Sequence, residues 1–94
     1  IAIIANQGVD YKSNQVLELS GDVTVFHDKG YEFRTKSLKI DLLNGIGSST
    51  SHVNVHGLAG EISSQGLEIN REGTRVLFTG KTKAILRGSR GSDL

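Results

Sequence analysis

Four residue types are absent from the sequence: cysteine, proline, methionine and tryptophan. Without cysteine the chain can form no disulfide, thiolate nucleophile or Cys-based zinc site. The absence of cysteine also leaves the redox environment of the protein undetermined. Without proline, the turns depend on asparagine and on the 12 glycines for positive φ angles. No apolar run approaches the roughly 18 residues that a transmembrane helix requires. The formal net charge of +1 gives no strong bias toward nucleic acid or acidic partners.

Aromatic residues are also few, with two tyrosines and three phenylalanines. Most of them fall at alternating apolar positions and are not interleaved with basic residues. The sequence therefore contains no stacking platform for nucleic-acid bases.

No group of residues indicates catalysis or metal binding. His52 and His56 lie on one predicted strand, about 13 Å apart at roughly 3.3 Å per residue, which is too far to share one ion. His27 is distant in sequence, so we expect all three histidines on the surface or rim. Asp22 and Asp28 have no paired nucleophile or organised acid. We expect no enzyme activity, no metal and no cofactor.

The length of the chain limits its core. A chain of 94 residues is one domain at most, and folding buries only about 60 to 65% of the unfolded surface at this size. We expect a domain over residues 1–87. Residues 88–94, GSRGSDL, have the composition of a linker or a disordered tail.

Apolar residues alternate with polar ones along most of the chain. In VLELSGDVTV, Leu17, Leu19, Val23 and Val25 fall on one side of a strand, a period of two that excludes a helix. The alternation predicts an all-β domain of seven to nine short strands. Turns are predicted where glycine and asparagine cluster, at residues 12–14, 28–30, 44–45 and 71–73.

One short sequence pattern occurs three times, as NQGVDYK, TKSLKID and SQGLEIN. Gly8, Ser37 and Gly66 hold the same place in it and are spaced by 29 residues each time. Apolar residues before and after this pattern repeat with nearly the same spacing. We interpret the chain as three repeats of about 29 residues, which favours a stacked or rolled β architecture.

Each repeat contains an irregular spacing of its apolar residues. Phe33 and Leu38 are five residues apart, so strict alternation would place them on opposite faces of a strand. A bulge or sharp bend at the intervening small and polar residues would return both to one face. The same spacing separates Ile4 from Val9 in the first repeat. We therefore expect the sheet to fold over at these positions.

These residues resemble a known superfamily. The pattern of Ala5, Gly8, Val9 and Tyr11, followed by LELSGDVTV and GYEFRTKSLKIDL, resembles the OstA/LptA/LptC proteins of lipopolysaccharide transport. FHDKGYEFRT and VLFTGKTKAIL resemble the LptC-type members most. The resemblance covers roughly residues 2–87.

The resemblance implies an antiparallel β-jellyroll, or folded-over β-taco, whose two sheets enclose an apolar groove for the acyl chains of lipopolysaccharide. It implies a periplasmic protein that passes lipopolysaccharide from the inner-membrane ABC transporter, on its LptF side, to LptA through a bridge of edge-paired β-domains. In the full-length protein an N-terminal helix would anchor this domain to the inner membrane. An LptA-like soluble bridge protein and a self-assembling β-scaffold without lipid are the alternatives, and edge pairing would also allow a homo-oligomer.

Exposing acyl chains to water costs about 0.8 kcal/mol per methylene, so a carrier needs a continuous apolar lining. The candidate lining residues are Leu17, Leu19, Val23, Val25, Phe33, Leu38, Ile40, Val53, Val55, Leu67, Ile69, Val76 and Phe78. From the residues alone, the same set equally fits a closed core.

The ends of the chain are the candidate edge strands, IAII and KTKAILR. An open edge either needs protection or docks a strand of another chain. The resemblance assigns the second edge to LptA, at Thr82, Lys83, Ala84, Ile85, Leu86 and Arg87. Lys81 and Lys83 either protect this edge or meet phosphate groups or an acidic partner.

Overall fold

The computed structural model describes residues 1–86, which form eight strands. In chain order these are β1 (Ala2–Ile4), β2 (Gln7–Tyr11), β3 (Val16–Phe26), β4 (Glu32–Asp41), β5 (Ile46–Ser49), β6 (Val53–Gly57), β7 (Gly60–Asn70) and β8 (Val76–Leu86). Residues 1–86 contain no helix, and so none long and apolar enough to span a membrane. The prediction of an all-β fold is confirmed. The tail at 88–94 lies outside the described residues.

All strand pairs are antiparallel and belong to one continuous sheet. β1 and β2 both pair with β3, and β5 and β6 both lie between β4 and β7. The sheet therefore has six long lanes in chain order, two of which are split into a pair of short strands. Its first and last lanes each have one neighbour within residues 1–86, namely β3 and β7.

Every lane except β4 and β7 is interrupted near its middle. Two interruptions are bulges, with the extra residue between Ser20 and Val23 on β3 and between Thr79 and Thr82 on β8. The first lane breaks between β1 and β2, and the fourth between β5 and β6. These positions lie side by side across the sheet and form a fold line, because bulges sharpen strand bending.

The fold line divides the sheet into two halves that face each other. The first half-sheet contains β2, β5 and residues 16–20, 37–41, 66–70 and 76–79, and the second contains β1, β6 and residues 23–26, 32–35, 60–64 and 82–86. The two predicted sheets are thus halves of one folded sheet, consistent with a β-taco. The count of three repeats stays a prediction.

The core lies between the half-sheets. Phe33 of the second half and Leu38 of the first belong to one buried cluster, although five residues separate them on the same strand. A bend therefore does return both to one face, as predicted. In the first repeat the chain also breaks at this place, between β1 and β2, but Ile4 and Val9 are 60% and 42% exposed on the edge lane and do not join the buried cluster.

Hydroxyl groups bond the backbone along the fold line, where the ladder is broken. Ser64 is 1% exposed, and its Oγ lies 2.7 Å from the Gly66 carbonyl oxygen and 3.0 Å from that of Thr79. The buried Thr35 and Ser49 hydroxyls are 2.9 Å apart. Buried polar groups without partners are costly, so these contacts stabilise the bend.

Candidate functional site

All thirteen predicted lining residues lie on the inner side of the folded sheet. Eight are buried and five are half-buried, and none is exposed. The buried set is Val23, Val25, Phe33, Leu38, Val53, Val55, Leu67 and Ile69, and the half-buried set is Leu17, Leu19, Ile40, Val76 and Phe78. That these side chains contact lipid stays a prediction.

The middle of the interior is a packed core. Val23 and Val53 are completely buried, and Leu67 is 2% exposed. Together with Phe33 and Leu38 they form part of one contiguous cluster between the half-sheets. The centre therefore fits the closed-core alternative, and open space is confined to the two ends.

One open cavity of about 480 Å³ lies toward β8, and we call it the C-side cavity. Its apolar wall combines residues of both half-sheets: Phe33, Val55 and Ile62 from the second, and Val76 and Phe78 from the first. The turns at residues 27–31 and 72–74 form its rim. Ligand pockets range from about 300 to 1,000 Å³, so the volume of this cavity falls within that range.

A second open cavity of about 300 Å³ lies toward β1, and we call it the N-side cavity. Ile3 and Val25 of the second half-sheet face Leu38, Ile40 and Ile69 of the first across it. Its rim carries the two charged groups Asp41 and Arg71. An apolar floor with a charged rim matches a ligand that has apolar chains and a polar head.

The Asp41 carboxylate is held by its own turn. Its Oδ1 accepts hydrogen bonds from the backbone N–H groups of Asn44 at 3.0 Å and Leu43 at 3.1 Å, and its Oδ2 accepts one from Asn44 Nδ2 at 2.7 Å. The bonds from Asn44, backbone first, lower the pKa of Asp41 below its usual value. This rim position therefore carries a negative charge at neutral pH.

The two cavities share no lining residue. Val25 and Phe33 pair across β3 and β4, yet Val25 lines the N-side cavity and Phe33 the C-side cavity. Ile69 and Val76 are divided in the same way across β7 and β8. The boundary between the cavities thus passes between β3 and β4 in the second half-sheet and between β7 and β8 in the first.

Sequence reasoning missed part of this lining. Ile62 holds the same repeat position as Phe33, and this equivalence could have identified it as a lining residue. Tyr31 and Gly73 fall in or beside predicted turns, where no sequence pattern indicated a lining position. Tyr31 packs on Gly57, where a Cβ atom would come within 2.6 Å of the ring.

The three histidines are separate. His52 and His56 are exposed and contact Asn54 and Glu61, respectively, on the outer side of the second half-sheet. His27 is half-buried on the rim of the C-side cavity. Among the described residues, no three His, Asp or Glu side chains are grouped closely enough to hold a metal ion.

Within residues 1–86, both outer lanes have one side with which no other strand pairs. In β8 the predicted docking residues Thr82 to Leu86 are exposed, and Arg87 lies outside the described part of the chain. Lys83 and Ile85 border a concave region of the outer surface together with Arg34 and Glu61. A strand of another chain could extend the sheet at this edge, and docking there stays a prediction.

The comparison with protein families agrees with this architecture. The family model described as "Lipopolysaccharide-assembly, LptC-related" matches residues 1–87. The chain belongs to the LptC-related family. LptC-related proteins act in lipopolysaccharide transport in the periplasm and are not an enzyme family. No curated protein matches the chain.

Proposed function

We propose that this LptC-related chain binds the acyl chains of lipid A between its half-sheets and passes lipopolysaccharide along the groove. The observation that carries the proposal is the pair of apolar cavities at the two ends of one folded sheet. Burying acyl chains there offsets a cost of about 0.8 kcal/mol for each methylene exposed to water. The family's role in lipopolysaccharide transport supports lipopolysaccharide as this lipid.

The proposal includes a direction. Lipopolysaccharide would arrive from the inner-membrane transporter, on its LptF side, at the β1 edge and leave at the β8 edge to an LptA-type protein. The free side of β8 and its exposed segment Thr82 to Leu86 support strand addition there. Anchoring of the full-length protein to the inner membrane belongs to the same proposal.

Adjacent residues of β8 provide a matched test of the groove. Phe78 lines the C-side cavity, whereas Leu77 is 47% exposed on the outer face. A photoreactive phenylalanine analogue at Phe78 should form an adduct with lipopolysaccharide in cells, and the same analogue at Leu77 should not. Equal adducts at both positions would show surface adsorption and would refute binding in the groove.

The two edges provide a test of direction. The photoreactive analogue at Ile85 on β8 should capture an LptA-type protein, because this residue lies on the proposed docking edge. The same analogue at Ile3 on β1 should not capture it. Capture of LptA from Ile3 alone would reverse the proposed order of the bridge.

A further inference from the structure

The two half-sheets touch at the mouth of the groove, opposite the fold line. His27 directly follows the last residue of β3 in the second half-sheet. Gly73 lies in the turn between β7 and β8 in the first half-sheet. His27 Nε2 lies 2.7 Å from the Gly73 carbonyl oxygen. Within residues 1–86, this is the one hydrogen bond that joins turns of opposite half-sheets.

The hydrogen bonds of His27 define its tautomer. The carbonyl oxygen of Gly73 can only accept a hydrogen bond, so Nε2 carries the proton and is the donor. Nδ1 accepts a hydrogen bond from the backbone N–H of Lys29 at 3.1 Å. The ring also packs edge-on against Tyr31 and at an angle to Phe33, with centroids 6.1 and 6.5 Å away. The imidazole is thereby oriented across the mouth.

Gly73 allows the close approach. It has a φ of 72°, and a Cβ atom there would come within 2.8 Å of His27 Nε2 and 2.7 Å of the Ile1 side chain. His27 and Gly73 line the C-side cavity, whereas Ile1 lines the N-side cavity. The contact therefore lies at the boundary between the cavities.

We infer that the contact of His27 with Gly73 is a gate between the two cavities, which must open when acyl chains pass from one to the other. The inference rests on the proposed function. Four strands, β3, β4, β7 and β8, cross the fold line and join the half-sheets, while a single side-chain hydrogen bond joins these turns at the mouth. Opening at the mouth, with the fold line as hinge, is therefore the least costly way to connect the cavities.

Joining the mouth covalently tests the gate. The chain has no native cysteine, so His27→Cys with Thr74→Cys provides one reactive pair, linked across the mouth by a short reducible dithiol crosslinker. His27→Cys with Tyr31→Cys is the matched control, because both residues belong to one turn whose backbone is already bonded. The experiment uses full-length protein in cells. Each cysteine pair is combined with a photoreactive phenylalanine analogue, placed either at Ile40 in the N-side cavity or at Phe78 in the C-side cavity.

With the mouth joined, the lipopolysaccharide adduct should persist at Ile40 and fall to about a tenth at Phe78, as expected of a closed gate. Reduction of the crosslinker should restore the adduct at Phe78, which excludes misfolding. An unchanged adduct at Phe78 would overturn the gate, as would loss at both positions. Absence of adduct at both positions in the unlinked protein would instead overturn the proposed function.

Single substitutions give an independent readout. His27→Ala removes the hydrogen bond and should speed the appearance of the adduct at Phe78 in a time course. His27→Gln retains an N–H donor for the Gly73 carbonyl and should stay closer to the unsubstituted protein. Equal rates in all three proteins would contradict the gate.

Discussion

At the scale of single residues, the fold depends on a few polar groups placed where the strand ladder is broken. Ser64 is the clearest, because its hydroxyl is buried and contacts backbone atoms of both strands beside the bulge. The Gly66 N–H also lies 3.3 Å from the same oxygen. One hydroxyl thus compensates for backbone hydrogen bonds that the bulge removes.

Removing this hydroxyl should destabilise the domain. Ser64→Ala removes the hydrogen bonds of a buried hydroxyl to the backbone oxygens of Gly66 and Thr79, which costs about 1–3 kcal/mol of unfolding free energy. Urea unfolding followed by circular dichroism measures the change. Ser63→Ala is the control on the same strand, since the Ser63 side chain borders the outer surface. Equal losses for the two variants would contradict a special role for Ser64.

At the scale of strands and turns, the alternation of apolar residues predicted most of the fold. The long lanes and the four predicted turns occur where expected, because period-two alternation and the glycine and asparagine clusters are local signals. The turn at Leu58 and Ala59 was not predicted, since its side chains are apolar. Leu58 is 94% exposed, contrary to what its hydrophobicity indicates.

The bulges could be predicted only indirectly. Leu19 and Val23 are four positions apart on β3, whereas their partners Leu38 and Thr35 are three positions apart on β4. The extra residue therefore lies on β3, where the apolar spacing stays even and gives no signal. The irregular spacing appears on β4 instead, which is why the sequence located the bend but not the strand that bulges.

The turn between β4 and β5 should make stability depend on pH. Hydrogen bonds from Asn44 lower the pKa of Asp41 in the folded state, so the carboxylate stabilises the fold above its unfolded pKa of about 3.9. This stabilisation is lost as the pH falls through the folded-state value. Asp41→Asn should therefore make the decline of unfolding free energy between about pH 5 and pH 2 less steep.

Urea unfolding over a series of pH values measures this slope, and Asp10→Asn is the control. Asp10 is exposed on β2, and its carboxylate makes no hydrogen bond within residues 1–86. Its replacement should leave the slope close to that of the unsubstituted protein. Identical slopes for Asp41→Asn and Asp10→Asn would rule out the turn as a source of acid sensitivity.

At the scale of the whole molecule, the sequence could not distinguish a groove from a closed core, because the same apolar residues line both. The folded sheet combines the two: a packed centre around Val23, Val53 and Leu67, and an open cavity at each end. Where the mouth closes depends on the twist that brings His27 to Gly73, 46 residues away in sequence. Local patterns contain no information about such a contact.

The open ends predict which substitutions weaken lipid binding without unfolding the domain. Ile62 is half-buried and lines the C-side cavity, whereas its neighbour Ser63 borders the outer surface. Ile62→Asn removes apolar surface from the cavity and should raise the Kd for a fluorescent lipid A analogue about tenfold, which corresponds to about 1.4 kcal/mol. Ser63→Asn places the same side chain outside and should leave the Kd unchanged. Fluorescence titration of both variants, after thermal unfolding confirms that they are folded, makes the comparison. If the two Kd values rise equally, or neither rises, the C-side cavity is not where the acyl chains bind.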